Sequence, residues 1–199
     1  AWYSKQDRQG IGVITGRVSL NLECIEFDGV KEGYYNAYLG LKEAAEAAGL
    51  NDLIDRIERG YSEASPSGGI HWLYRCSEIE GNTKLASRLK EPEEMTPEEQ
   101  ARKTPPVQVL IETRGEGGFV ILAPSHGKVH NSGRAYELRS GSFDSIVEIT
   151  PEERKQLWRL ARSLDQLPAK ELQALPPTGE ERTGKPGADF NQRARWGDI

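Results

Sequence analysis

The apolar and polar positions of this chain follow two periods. Ile11 to Gly16 and Ser19 to Asp28 carry strand spacing, and Tyr61 to Ala64, His71 to Cys76, Val107 to Thr113 and Gly118 to Ala123 repeat it. Helical spacing covers about Tyr34 to Ala48 and stops at Gly49, a residue suited to the left-handed conformation that ends helices. Asn51 is expected to cap a shorter helix ending near Arg59. Thr150-Pro151-Glu152-Glu153 has the reciprocal capping pattern of a helix start, and Leu157, Leu160, Ala161 and Leu164 give a helix to about Leu167 its apolar stripe. Thr96-Pro97-Glu98-Glu99 repeats that signature inside the charged, proline-rich stretch Glu91 to Pro106, which reads as a mobile insertion carrying a short surface helix. Val107 to Thr113 and Gly118 to Ala123 are expected to form one hairpin across Gly115, Gly117 and Gly118. Strands with few helices in mixed order predict an α+β domain with a mixed or antiparallel sheet rather than a doubly wound one.

Three polar islands interrupt the apolar runs: Glu26-Phe27-Asp28, then Ser67-Gly68-Gly69-Ile70-His71, then Glu112 just before Arg114-Gly115-Glu116-Gly117-Gly118. Glu26 and Asp28 are two apart on a strand, so they project from one face and can share divalent cations. Read blandly, they merely end an edge strand on its solvent side. Glu23 is the alternative if the register slips by one. His71 stands among Trp72, Leu73 and Tyr74 and reads either as a core histidine or as a triphosphate contact, because the Ser-Gly-Gly turn before it permits close approach of phosphates. Arg114 shares a strand face with Glu112, so it is either that acid's ion-pair partner or a holder of incoming phosphates.

The order of these islands resembles the N-terminal primase-polymerase domain of phage and plasmid replication proteins, the bifunctional prim-pol family of the archaeo-eukaryotic primase superfamily. Gly10 to Gly16 is similar to the family's opening strand, Leu22 to Asp28 to its acidic first motif, Ser65 to Trp72 to its Ser-x-His second motif, and Val109 to Ser125 to its third-motif strand and following hairpin. The first motif is commonly Asp-x-Asp or Asp-x-Glu, and here Glu26 stands first. The resemblance implies an RNA-recognition-motif-like sheet carrying the acids, a second small αβ unit carrying the Ser-x-His strand, and an active site in the cleft between them. It implies two Mg²⁺ or Mn²⁺ ions held by Glu26, Asp28 and Glu112. A deoxynucleoside or nucleoside triphosphate would be held by Ser67, Gly68, Gly69, His71, Arg114 and Lys84. A single-stranded DNA template and a primer are the implied partners. The chain opens at Ala1-Trp2, where family members carry further elements, which implies a piece of a longer protein. Residues 1–167 would be the catalytic domain. The proline- and glycine-rich stretch from Pro168, with Lys185 to Asn191 and Arg195-Trp196, is similar to the join toward a helicase region, so that domain is expected in the same full-length chain.

Composition narrows the picture only slightly. The chain has 199 residues and a net charge of -5, so nucleic-acid affinity has to come from a local basic surface. Lys128, Arg134 and Arg139 are candidates for template contact, against a plain solvated surface. Asn82-Thr83-Lys84 with Arg88 reads as a solvated helix start or as a phosphate-binding loop. His126 and His130 have the spacing of a metal pair, but Gly127 and Asn131-Ser132-Gly133 favour a loop, with nucleotide or DNA contact near Ser125-His126 as the functional alternative. Cys24 and Cys76 lie in apolar strand runs and are expected to be buried free thiols. No long apolar stretch or signal pattern stands out, which points to a soluble cytoplasmic protein, in the host cell if phage-encoded. Two other classes remain open: a two-metal nuclease and a non-catalytic DNA-binding module.

Overall fold

The structure is a computed structural model that describes residues 9–29 and 36–168. Its central strand, β2 (Leu22–Phe27), follows the first strand β1 (Ile11–Ile14) and alternates strictly. Leu22, Cys24 and Glu26 lie on one face and Glu23, Ile25 and Phe27 on the other, because successive side chains of a strand point to opposite sides. After α1 (Ala37–Ala48), α2 (Asn51–Gly60) and β3 (Tyr61–Ala64), β4 (Ile70–Cys76) returns antiparallel beside β2. Then come β5 (Thr83–Leu89), the single turn α3 (Pro97–Gln100) and β6 (Val107–Arg114), which pairs antiparallel with the other edge of β2. β7 (Phe119–Leu122), β8 (Glu137–Gly141), β9 (Glu148–Ile149) and α4 (Pro151–Ser163) complete the described order. The main sheet runs β5-β6-β2-β4-β3-β8, with β9 parallel to β4, while β1 and β7 form a separate antiparallel pair.

One face of the main sheet is covered by helices. Ile25, Phe27, Trp72 and Tyr74 pack there with Leu41 of α1, Ile54 and Ile57 of α2, and Leu157 and Ala161 of α4. Phe27 and Trp72 meet edge to face with centroids 4.8 Å apart, which helps to lock the β2–β4 register. A slip by one residue would drive Glu26 into this apolar layer. Glu23 is already there and is matched: Arg154 grips it through Nε at 2.7 Å and Nη2 at 2.9 Å, and the Tyr74 hydroxyl donates to it at 2.7 Å. That rules out Glu23 as the register alternative. On the opposite face, Leu22, Cys24, Tyr61 and Leu73 pack with Val120 and Leu122 of β7, so the β1–β7 pair covers the Leu22 end of β2.

Several sequence expectations change. Val107–Thr113 and Gly118–Ala123 do not form a hairpin: β6 pairs with β2 and β5, and β7 crosses to β1. The glycine-rich turn serves as a junction, with the Thr15 amide donating to the Gly118 carbonyl at 2.9 Å and its hydroxyl to the Gly115 carbonyl at 2.5 Å. Asn82-Thr83-Lys84 opens no helix, because Thr83 begins β5. Leu20 and Asn21 take positive φ, so the strand expected from Ser19 starts at Leu22. Asn51 is the first residue of α2 and not its cap, whereas α1 is capped by the Asn36 side chain and ended by Gly49 at φ 70°. The stretch from Glu91 to Pro106 is the β5–β6 connection and carries the expected short surface helix as α3, capped by Thr96, with Arg88 Nη2 2.6 Å from Glu94 and Lys90 2.9 Å from Glu99. β8 and β9 add strands beyond those expected. The Ser-x-His strand sits directly beside the acidic strand in one sheet, where the resemblance implies a separate unit. Among the described residues no helix is long and apolar enough to cross a membrane. The expected tail from 169 onward lies outside the described residues.

Candidate active site

Strand register brings the polar islands into one line. Reading across β5, β6, β2, β4 and β3, directly paired positions are Lys84, Glu112, Glu26, His71 and Glu63. Paired residues of antiparallel strands project from the same face with Cβ atoms about 4.5–5.5 Å apart. The sequence therefore lays one row of ionisable side chains across five neighbouring strands. Glu26, His71, Glu112 and Arg114 line a cleft of about 420 Å³, together with Asp28 from just beyond β2 and Ser65 and Ser67 from the turn before β4. That volume falls within the range of small-ligand sites. Phe119 and Ile121 of β7 form one wall, and Tyr136 and His130 from the loop before β8 another.

Arg114 ties the two central acids together. Its Nε donates to Glu26 Oε2 at 3.0 Å and its Nη2 to Glu112 Oε1 at 2.7 Å. The sequence offered two roles for Arg114, and here it is the partner of both carboxylates. Even so, desolvation pushes the Glu112 carboxyl above its ordinary value, with the Glu26 charge adding to the rise and Arg114 opposing it. Asp28 is likewise raised, first by desolvation and further by Glu26, against the hydrogen bond from the Gln108 side chain. These three acids are oxygen donors lining one opening, but the donor atoms that converge within 4.8 Å of one another among the described residues come from Cys24, Glu26 and His71, not from the three acids.

His71 is held from behind. Its Nδ1 donates to Glu63 Oε1 at 2.9 Å, which leaves Nε2 as the second ring nitrogen. Glu63 is fully buried and also accepts from the Tyr61 hydroxyl and the Ala123 amide, both at 2.8 Å. Glu63 is a residue the sequence reading missed. Its only signal was a carboxylate inside the short strand Tyr61–Ala64, and its meaning depends on the β3–β4 register. The sequence predicts Cys24 only as a buried thiol. It is free and buried, as is Cys76, but it also lies on the Glu26 face, and ligand atoms of Cys24, Glu26 and His71 are all within 4.8 Å of one another. Burial, together with the Glu26 and Glu63 charges, pushes its thiol well up.

The turn before β4 is shaped by contact with the end of β2. A Cβ on Gly69 would lie 2.4 Å from the Phe27 carbonyl oxygen, so only glycine fits. The Gly68 amide donates to the Ser65 carbonyl at 2.9 Å and the Gly69 amide to Ser65 Oγ at 3.1 Å. Both amides are thus spent within the turn, and Gly68 and Gly69 line a smaller adjoining cavity of about 170 Å³ with Asp28 and Arg139. Ser67 Oγ reaches the cleft, 2.9 Å from Ser65 Oγ. Lys84 does not line the cleft, although its charge opposes the rise of the Glu112 carboxyl. Arg88 is buried against Glu94. Of the histidine pair on the loop, His130 faces the cleft while His126 is exposed and bonds the Pro124 carbonyl. Ser125 is buried and ties down Ile11 at 2.8 Å and 3.0 Å, a structural role.

No curated protein matches the chain significantly. The sequence model of one family does, over residues 1–153. Glu26 at the end of β2 with Asp28 just beyond it, a third acid on β6 and a braced histidine after a Ser-Gly-Gly turn fall within that match, and the chain belongs to the bifunctional DNA primase/polymerase N-terminal (Prim-Pol) family.

Proposed function

We propose that the cleft carries out template-directed nucleotidyl transfer as a DNA primase and DNA polymerase in phage or plasmid replication. Family membership brings primase/polymerase activity in replication. The observation that carries the assignment of residues is the in-register row Glu112–Glu26–His71 with Arg114 bridging its acids. Glu26, Asp28 and Glu112 would hold two Mg²⁺ or Mn²⁺ ions. When bound, such ions favour ionisation of an attacking 3′-hydroxyl and offset charge on the departing pyrophosphate. The 3′-oxygen belongs to a primer end or, in de novo priming, to a second nucleotide. Its hydroxyl proton passes to water, the oxygen attacks the α-phosphorus of the incoming triphosphate, the bond from that phosphorus to the oxygen bridging to the β-phosphorus breaks and pyrophosphate leaves.

The chain's own groups do the positioning. His71, fixed in rotation by Glu63, presents Nε2 to a phosphate oxygen. Ser67 adds a hydroxyl beside it, and Gly68 and Gly69 give the turn the close approach to β2 that sets both. Arg114 is within reach of the acids and, once they bind cations, is released to the triphosphate. Lys84 tempers Glu112 from the outer strand. Lys128, Arg134 and Arg139 supply the basic surface for a single-stranded template, residues 1–167 form the catalytic domain, and 168–199 lead toward a helicase region of the same full-length protein.

Primer extension on a labelled primer-template with dNTPs or NTPs, in Mg²⁺ or Mn²⁺, is the direct test. Extension is expected for the parent, with Glu26→Gln, Asp28→Asn and Glu112→Gln each falling by roughly 100-fold or more. Shortening of a labelled strand in Mn²⁺ without nucleotide would instead make the site a nuclease. DNA binding untouched by Glu26→Gln and Asp28→Asn, with no nucleotide affinity, would make it a binding module.

A further inference from the structure

The proposed cations account for the oxygen donors of the cleft but leave one neighbour unused. Cys24 precedes Glu26 by two residues on β2, so its thiol shares the cleft face, and its direct partners across the sheet are Leu73 and Arg114. One ligand atom each from Cys24, Glu26 and His71 lies within 4.8 Å of the other two. In a tetrahedral zinc site with bonds of about 2.0–2.3 Å, donors stand roughly 3.3–3.6 Å apart, so rotamer adjustments of about an ångström close the triangle. Sulfur, imidazole nitrogen and a single carboxylate form a borderline-soft set, which favours Zn²⁺ over Mg²⁺.

A second, independent feature points the same way. Zinc-binding histidines almost always donate their other ring N–H to a buried acceptor, which fixes the tautomer and turns the free nitrogen toward the metal. His71 has that brace: Nδ1 is held by Glu63, itself fully buried and pinned by Tyr61 and Ala123. One thiolate and one carboxylate balance a dication once Arg114, which donates to Glu26 at 3.0 Å and to Glu112 at 2.7 Å, turns its charge to Glu112 alone, with the thiol proton released to solvent as the metal enters.

We propose that Cys24, Glu26 and His71 form a site for a thiophilic divalent cation, Zn²⁺ by its donor chemistry, reaching from the cleft into the buried layer beneath it. Filling it closes the cleft to catalysis, because it takes Glu26 from the oxygen-donor set and His71 from the triphosphate. The inhibitory half rests on the nucleotidyl-transfer reading; the binding half does not.

The test uses the full chain with Co²⁺ as a spectroscopic probe and Zn²⁺ as competitor. The parent is expected to develop a thiolate-to-Co²⁺ charge-transfer band that saturates near one equivalent, is removed by Zn²⁺ and survives a molar excess of Mg²⁺. Cys24→Ser and Cys24→Ala should both lose the band and bind Zn²⁺ at least tenfold more weakly, while Cys76→Ala keeps both. Either Cys24 variant serves if it retains a cooperative melting curve. In extension assays with Mg²⁺, micromolar Zn²⁺ should inhibit the parent, and the folded Cys24 variant should resist it at least tenfold better. A parent with no thiolate band, or a band that persists without Cys24, overturns the site. Equal inhibition of parent and variant overturns its effect on catalysis. If no protein extends a primer in any metal, the catalytic reading falls, and the Co²⁺ spectrum still decides the Cys24 site.

Discussion

Glu26 and Glu112 stand opposite each other on adjacent strands, an arrangement that costs energy unless a positive charge is shared between them. Arg114 supplies that charge through two separate donors. Replacing Arg114 with Gln should therefore cost the metal-free protein about 1–3 kcal/mol, since two half-buried carboxylates lose a charged partner. The same change should enlarge the rise in melting temperature produced by Mg²⁺, because the guanidinium no longer competes for those oxygens. Melting curves of parent and Arg114→Gln with and without Mg²⁺ check both effects, and an unchanged or smaller rise would mean that cation and guanidinium do not share ligands. At this scale much of the site is legible in the chain. The spacing of Glu26 and Asp28 puts them on one face, and the order of the islands picks out His71, Glu112 and Arg114. Glu63 and Cys24 escape for one reason: each acquires meaning only from the partner that strand register sets beside it. No local pattern around Tyr61-Ser62-Glu63 announces that the carboxylate will brace a histidine eight residues on.

The start of α4 is read correctly from sequence because it is written in local chemistry, although the helix ends at Ser163 and not near Leu167. Thr150 accepts from the Glu153 amide at 3.2 Å while Glu153 accepts from the Thr150 amide at 2.8 Å, and Arg56 on α2 reaches the same carboxylate at 2.5 Å. Desolvation alone would raise the Glu153 carboxyl, but the Thr150 amide and the Arg56 charge outweigh it and hold the group below its ordinary value. A carboxylate depressed in the folded state contributes stability that is complete above its unfolded value and is lost as pH falls through the folded one. Glu153→Gln keeps the shape and removes the charge, so it should cost about 0.3–1 kcal/mol at neutral pH. The gap between parent and variant melting temperatures should close on acidification below the ordinary carboxylate range; a gap constant with pH would show that the charge contributes nothing. Pairing between strands is different, because it depends on distant partners. Gly115 to Gly118 has the composition of a hairpin turn, yet the amide and hydroxyl of Thr15, about a hundred residues earlier, take up its carbonyls and send β7 to β1. β8 carries exposed Glu137, Leu138 and Arg139 with no apolar alternation to announce a strand, and its pairing with β3 supplies what its sequence lacks.

At the scale of the whole molecule, the main sheet has one face committed to helices and the other divided between the β1–β7 pair and the cleft. The apolar pattern made an α+β domain legible but not the adjacency of β4 to β2, since α1, α2 and β3 intervene in the chain between them. That adjacency matters because it places His71 one strand from Glu26 and two from Glu112 in a single sheet, so the donors are arranged before any ligand arrives. A cation that binds this folded arrangement and not the unfolded chain stabilises it by mass action, about 2.7 kcal/mol at a hundredfold excess over its dissociation constant. For a domain of this size that is a rise in melting temperature of roughly 5–10 °C. Mg²⁺ or Mn²⁺ should produce such a rise in the parent, and the Glu26→Gln, Asp28→Asn double variant should abolish most of it. Arg114 already neutralises part of the charge, so the metal-free parent is expected to be folded and the effect to appear as a shift between two cooperative curves. A shift of equal size in the double variant would place the cation elsewhere and remove these two residues from the metal set, while leaving the sheet, its register and the bracing of His71 by Glu63 as they stand.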